Sequence, residues 1–263
     1  MENYNDVNPK VWIDLKKDLP PQPIAISLGR SNNYPTPFGT YGNFSCITGP
    51  SKVGKSFFKQ MLIAGYIGGD SVDYCDAIAG HNSAAKLVLD FDTEQSPWQV
   101  QRNGRNIVQM VNATASENYH TYALRELDSK TRLQFVEKTL ELVSEKFKIG
   151  LVCIDGIADL MNDTNSLIET NEVMTKIMQW TTQYKLHLLT VVHLNFGDNP
   201  KPTGHIGSAI TKKAETVAVL KSSDSDEGFG VVTVFPRYTR NVPFKPMAFT
   251  INNGKPMQTD VPF

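Results

Sequence analysis

The sequence predicts an α/β fold, a doubly wound and mainly parallel sheet flanked by helices, and three observations carry that prediction. From about residue 40 onward, strand-like and helix-like stretches alternate, as they do when each parallel strand is returned by a helix. Two strand-like stretches, "IGLVCID" (149–155) and "LHLLTVVHL" (186–194), are apolar almost throughout, which marks strands covered on both faces. Between another strand-like stretch and a helix stand Gly49, Gly54, Lys55 and Ser56 in the spacing G-x-x-x-x-G-K-S. That loop needs a strand before it and a helix after it.

Taken in order, residues 1–38 contain Pro20, Pro21, Pro23, Pro35 and Pro37 with little helical period, and they read as an extended N-terminal arm that either packs on the core or contacts a neighbour. Residues 39–263 read as one domain. "NFSCIT" (43–48) is a strand, and "KSFFKQMLIAGYI" (55–67) is a largely buried helix closed by Gly68 and Gly69. "AAKLVLDFD" (84–92) is the next strand. In 131–147, Leu133, Val136, Leu140, Val143 and Phe147 recur at spacings of 3, 4, 3 and 4, an amphipathic helix. The apolar strand 149–155 follows, then the helix "NEVMTKIMQWTTQYK" (171–185) and the apolar strand 186–194. Beyond residue 207, "AETVAVLKS" and "GVVTVFPRYTR" flank the acidic "SDSDEG", which predicts a C-terminal antiparallel hairpin extension.

Composition sets limits on function. The 263 residues suffice for one sizeable core, and a net charge of −1 excludes a protein coated in basic surface while allowing a local basic loop. Cys46, Cys75 and Cys153 lack metal-ligand spacing, and Cys46 and Cys153 lie in apolar runs as buried free thiols suited to a reducing cytoplasm. "MENYNDVNPK" has none of the features of a signal peptide. The longest apolar run, Met61 to Ile67, is too short to span a membrane. The expectation is a soluble cytoplasmic protein with no membrane partner.

The glycine spacing carries chemistry. Gly49, Pro50, Ser51, Lys52, Val53, Gly54, Lys55, Ser56 and Phe57 form a P-loop, in which glycines let backbone N–H groups close around phosphate oxygens. Lys55 would reach the β- and γ-phosphates, and the Ser56 hydroxyl would hold Mg²⁺. Ligands of a doubly wound sheet bind at the carboxyl ends of its strands. Those ends carry Asp92 and Glu94, then Asp155, then His193 and Asn195. Asp155, closing an apolar run, suits a metal, with capping of the next helix as the alternative. Glu94 suits a general base for water, with Asp92 competing. His193 reads as a γ-phosphate sensor, against the plainer role of a core histidine. ATP is the expected nucleotide, with Mg²⁺, because no N-K-x-D guanine motif stands out.

These motifs together resemble the RecA-like P-loop ATPase superfamily, and more closely its hexameric, helicase-like RepA/DnaB/KaiC branch, over roughly residues 40 to 251. "GPSKVGKS" is similar to its Walker A, "FDTEQS" to its catalytic-glutamate segment, "LVCIDGIADL" to its Walker B, and "VVHLN" to its sensor strand. "HIGSAITKKAETVAVLK" is similar to a later stretch in which Glu215 replaces the usual Asp. The resemblance implies an ATPase that self-associates into a ring, typically a hexamer. It implies a helicase-like motor on single-stranded DNA in replication of a plasmid, phage or mobile element, or alternatively a KaiC- or RadA-like regulatory or recombination ATPase. It implies that Arg240, or next Arg237, acts as an arginine finger on a neighbouring subunit. It also implies that 196–205 lines a central channel, with Lys201, His205, Lys212 and Lys213 as candidates for DNA contact. A small-molecule kinase is disfavoured, since no Arg-rich lid is present.

Overall fold

The structure is a computed structural model that describes residues 7–8, 11–68, 75–112, 116–194, 202–223 and 230–262. In chain order the elements are β1 (Ile24–Ser31), β2 (Tyr34–Thr40), β3 (Phe44–Gly49), α1 (Lys55–Gly68), β4 (Ile78–Gly80), β5 (Leu87–Asp92) and α2 (Pro97–Met110). Then come β6 (Tyr119–Ala123), α3 (Ser129–Ser144), β7 (Ile149–Asp155), a short 3₁₀ helix (Ile157–Leu160), α4 (Leu167–Gln183) and β8 (His187–His193). The chain ends in α5 (Gly204–Lys213), β9 (Thr216–Ser222), β10 (Val232–Thr239), β11 (Met247–Asn252) and β12 (Lys255–Thr259).

A nine-stranded sheet in the order β12-β11-β10-β9-β3-β8-β7-β5-β6 organises these elements. From β9 to β6 every neighbouring pair is parallel. The parallel strands separate two apolar layers because successive side chains point to opposite faces. Ile47, Val88, Leu151, Cys153, Leu189 and Ala218 join α1 and α2 on one face. Cys46, Leu89, Phe91, Val152, Ile154 and Leu188 join α3, α4 and α5 on the other. The expected doubly wound sheet is therefore present. The C-terminal extension is longer than the single hairpin expected: β9 itself pairs parallel to β3, and β9 to β12 form a four-strand antiparallel meander.

The segment expected to be an extended arm forms a packed hairpin from Ile24 onward. Strands β1 and β2 pair antiparallel, β4 joins β1, and Ala25, Ile26 and Phe38 are fully buried in the core layer of α1. Pro35 and Pro37 are tolerated because β2 is an edge strand, where a missing N–H breaks no interior ladder. Residues 12–23 carry no regular secondary structure. Two helix details also differ from expectation. Helix α2 has no counterpart in the sequence reading, although Ser96 caps it and Pro97 opens it. Phe147 falls beyond the end of α3 and is 54% exposed, while Val136 and Leu140 are buried. Cys46, Cys75 and Cys153 are all buried and free.

Candidate active site

The carboxyl ends of β3, β5, β7 and β8 lie side by side, since Gly49 pairs with His193 and Asp92 with Asp155 in the parallel ladders. The P-loop springs from the first of them. A Cβ on Gly49 would stand 2.9 Å from both the Leu220 carbonyl and Val53, so the chain can only turn there with glycine. Lys52 and Gly54 hold left-handed φ of +61° and +98°, which reverses the loop into α1. Pro50, Ser51 and Lys52 are exposed, Val53 and Gly54 are buried, and Phe57 is half-buried. Lys55 is 5% exposed and donates to the carbonyls of Gly49 (3.0 Å) and Pro50 (2.6 Å). Burial pulls its pKa down, and the charges of Asp155 and Glu94 oppose that.

One face of α1 presents Lys55, Ser56 and Lys59 to the strand ends, as residues one turn apart on a helix must. Ser56 Oγ donates to Asp155 Oδ2 at 3.1 Å. Lys59 Nζ lies 3.1 Å from that same oxygen and 3.0 Å from Asp90 Oδ1. Tyr119 on β6 donates to the other Asp90 oxygen at 2.9 Å. Burial alone would lower the Lys59 pKa, but Asp155, Asp90 and Asp92 together raise it well above the usual range. The ammonium is therefore charged.

The two carboxylates competing as base are separated by their surroundings. Asp92 is 3% exposed and accepts the backbone N–H groups of Glu94 (3.0 Å) and Gln95 (2.8 Å). Burial, together with the charge of Asp155, pushes its carboxyl up to about 6, against the pull of Lys59 and those two N–H groups. Glu94 is solvent-facing, and its Oε1 lies 2.8 Å from His193 Nε2. An ionised carboxylate only accepts, so this contact requires the proton on Nε2. Asp155 does not cap the next helix, whose N-cap is Gly156 at φ +96°. A Cβ at Gly156 would collide with the Thr93 hydroxyl, which bonds the Asp155 carbonyl (2.8 Å) and Asp159 (2.6 Å). Burial raises the Asp159 carboxyl above its ordinary value.

The remaining candidates stand apart from this cluster. Asn195 and Lys201 lie outside the described residues. His205 is exposed at the start of α5, and Lys212 and Lys213 are exposed at its end, so the helix holds them about 10 Å apart. Arg240 follows β10, whose Thr239 pairs with Thr216, while Thr216 pairs with Ser45 near the start of β3. Arg240 is thus at the opposite end of the sheet from its own P-loop, roughly 15 Å away along the strands. Its guanidinium donates to the Lys213 carbonyl at 2.8 Å, and exposed Arg237 lies over the Tyr238 ring at 5.5 Å.

Sequence reasoning missed Lys59, Asp90, Tyr119, Thr93 and Asp159. The first two had a signal: a lysine inside an apolar helix and an aspartate inside the apolar strand "LVLDFD" are charges that only a partner makes tolerable. As a metal site, the Ser56 hydroxyl and the Asp155 carboxylate offer hard oxygen donors converging at a P-loop, which fits Mg²⁺. No helix among the described residues is long and apolar enough to cross a membrane.

The family model for the AAA domain matches residues 37–198, well over half of the chain. Among solved structures, the fold is similar to that of a KaiC-like protein from the hyperthermophilic archaeon Pyrococcus horikoshii, with a TM-score of 0.57 and 13% identity. That similarity covers 84% of this chain and 91% of the other. The sheet is therefore of the KaiC-like, RecA type. No curated protein matches the sequence.

Proposed function

Because the chain belongs to the AAA domain family, we propose that it is an ATPase that assembles as a ring, a hexamer by the resemblance drawn above, and works as a helicase-like motor on single-stranded DNA. The observation that supports this best is the 2.8 Å contact between Glu94 and His193. It ties a water-activating carboxylate just beyond β5 to the end of β8, from which the chain runs through 195–201 into α5 and its exposed His205, Lys212 and Lys213. Events at the nucleotide and at that loop would then move one another.

Lys55 exchanges the Gly49 and Pro50 carbonyls for β- and γ-phosphate oxygens, while the N–H groups of 51–56 close around them. Ser56 and Asp155 would hold Mg²⁺, which when bound offsets charge on the phosphates. Glu94 takes a proton from water as its oxygen bonds the γ-phosphorus and the bond to the departing ADP breaks. His193 releases or holds Glu94 according to the state of the γ-phosphate. Arg240, far from its own P-loop, serves a neighbour's.

The test is ATPase rate with and without single-stranded DNA, paired with native mass. Stimulation severalfold in a particle of several subunits is the expected result. An intact ring whose turnover ignores DNA would favour the second reading, a KaiC- or RadA-like regulatory or recombination ATPase. What supports that second reading is the sparse basic character of α5, where His205 and the lysine pair stand at opposite ends.

A further inference from the structure

We propose that Lys59 is the resident counter-cation of the nucleotide site: it balances the carboxylates around Asp155 so that a divalent ion enters only together with a triphosphate. The inference rests on the reading above that Ser56 and Asp155 hold the metal, and its test is independent of hydrolysis.

The geometry is specific. Lys59 is 4% exposed, and its ammonium bridges Asp90 on β5 and Asp155 on β7 at 3.0 and 3.1 Å. Val88, Asp90 and Asp92 share one face of β5, and Leu151, Cys153 and Asp155 share the same layer on β7. The three carboxylates therefore point into one buried space beneath α1, where Asp90, Asp92 and Asp155 are 4%, 3% and 5% exposed. Such a concentration of negative charge out of water demands a cation. Lys59 is the lysine that bridges two of them.

Its placement also decides what the carboxylates are free to do. Asp90 is engaged at both oxygens, by Lys59 and by the Tyr119 hydroxyl. Asp155 Oδ2 receives both Ser56 and Lys59. Among the described residues no group of three acidic, histidine or cysteine side chains is arranged to hold a metal ion. An ammonium at about 3 Å repels an incoming dication, and the phosphates of a bound nucleotide supply the negative charge that overcomes it.

The measurement is Mn²⁺ binding in the absence of nucleotide, by titration calorimetry or by loss of the free-ion paramagnetic resonance signal. Wild type and Lys59→Arg should bind none at submillimolar concentration. Lys59→Met should gain nucleotide-independent binding at least tenfold tighter than wild type. The double variant Lys59→Met/Asp90→Asn, which removes one charge of each sign, should lose most of that gain. If Lys59→Met folds poorly, Lys59→Gln keeps a donor without the charge, and Mn²⁺ should raise the melting temperature of either variant but not of wild type. Submillimolar Mn²⁺ binding by nucleotide-free wild type overturns the proposal. So does a lysine-free variant that binds no better than wild type, or one that folds neither with nor without the ion. Absent ATPase activity in wild type would instead count against the function proposed above, and leaves these outcomes readable.

Discussion

Lys55 donates only to carbonyls of its own loop, so its removal takes little from the fold and much from the ligand. Lys55→Ala should lose about 2–3 kcal/mol of nucleotide affinity, the worth of a charge-assisted hydrogen-bond set, with a nearly unchanged melting temperature. Titration with a fluorescent nucleotide checks it, and undiminished affinity would remove the P-loop assignment. Glu94→Gln should bind ATP normally and turn over about 10²–10⁴ times more slowly, because the amide keeps the shape but cannot take the proton. The outcome to fear is normal hydrolysis by Glu94→Gln alongside a dead Asp92→Asn. The two N–H donors argue against that, since they hold one Asp92 oxygen to its own loop.

At the scale of elements, a buried carboxylate helps to fasten the hairpin β1–β2 to the main sheet. Glu215, at the start of β9, accepts the Thr40 N–H (2.9 Å), the Thr40 hydroxyl (2.9 Å) and the Asn241 amide (2.8 Å). Beside it His187, wholly buried, meets the Thr40 carbonyl through Nδ1 at 3.0 Å. Burial lowers the His187 pKa, although Glu215 and the backbone contacts oppose this. An unfolded histidine titrates at about 6.5, so below that pH the unfolded chain takes up a proton that the folded chain refuses. Stability should therefore be full above about pH 6.5 and decline as pH falls, by at most about 1.4 kcal/mol per unit from this residue. Melting curves from pH 7 to 5 should show a shallower decline in His187→Gln, and an identical slope would clear His187 of the role. This clasp also shows what the sequence could tell. Strands β3, β7 and β8 were legible because both faces are apolar, and the P-loop because its spacing is rare. Strand β2 was not, because Pro35 and Pro37 speak against a strand until its edge position is known, and β1 was masked by Pro20, Pro21 and Pro23 just before it. Helix α2 was hidden by a low overall apolarity, its buried side being only Val100, Gly104, Ile107, Val108 and Met110. In the site, residues at strand ends could be read from position alone. The bridge from Lys59 to Asp90 could not, since it joins elements more than thirty residues apart by sequence.

For the whole molecule, the placement of Arg240 at the far end of the sheet means that no single chain can bring it to its own nucleotide. A finger of this kind contributes roughly 10³–10⁵ in rate. Arg240→Ala should bind ATP yet turn over poorly, and mixing it with Lys55→Ala should give ATPase above the sum of the two. A dead mixture of demonstrably co-assembled subunits would pass the question to Arg237. The separation of the two ends also has a genetic reading. Under the trans role proposed for Arg240, a subunit lacking it would keep its own pocket intact and silence the one next door, so its defect would be expressed in a product encoded by another gene copy. A cell carrying both alleles would show the mutant phenotype out of proportion to the mutant's share of the pool, and the allele would score as dominant.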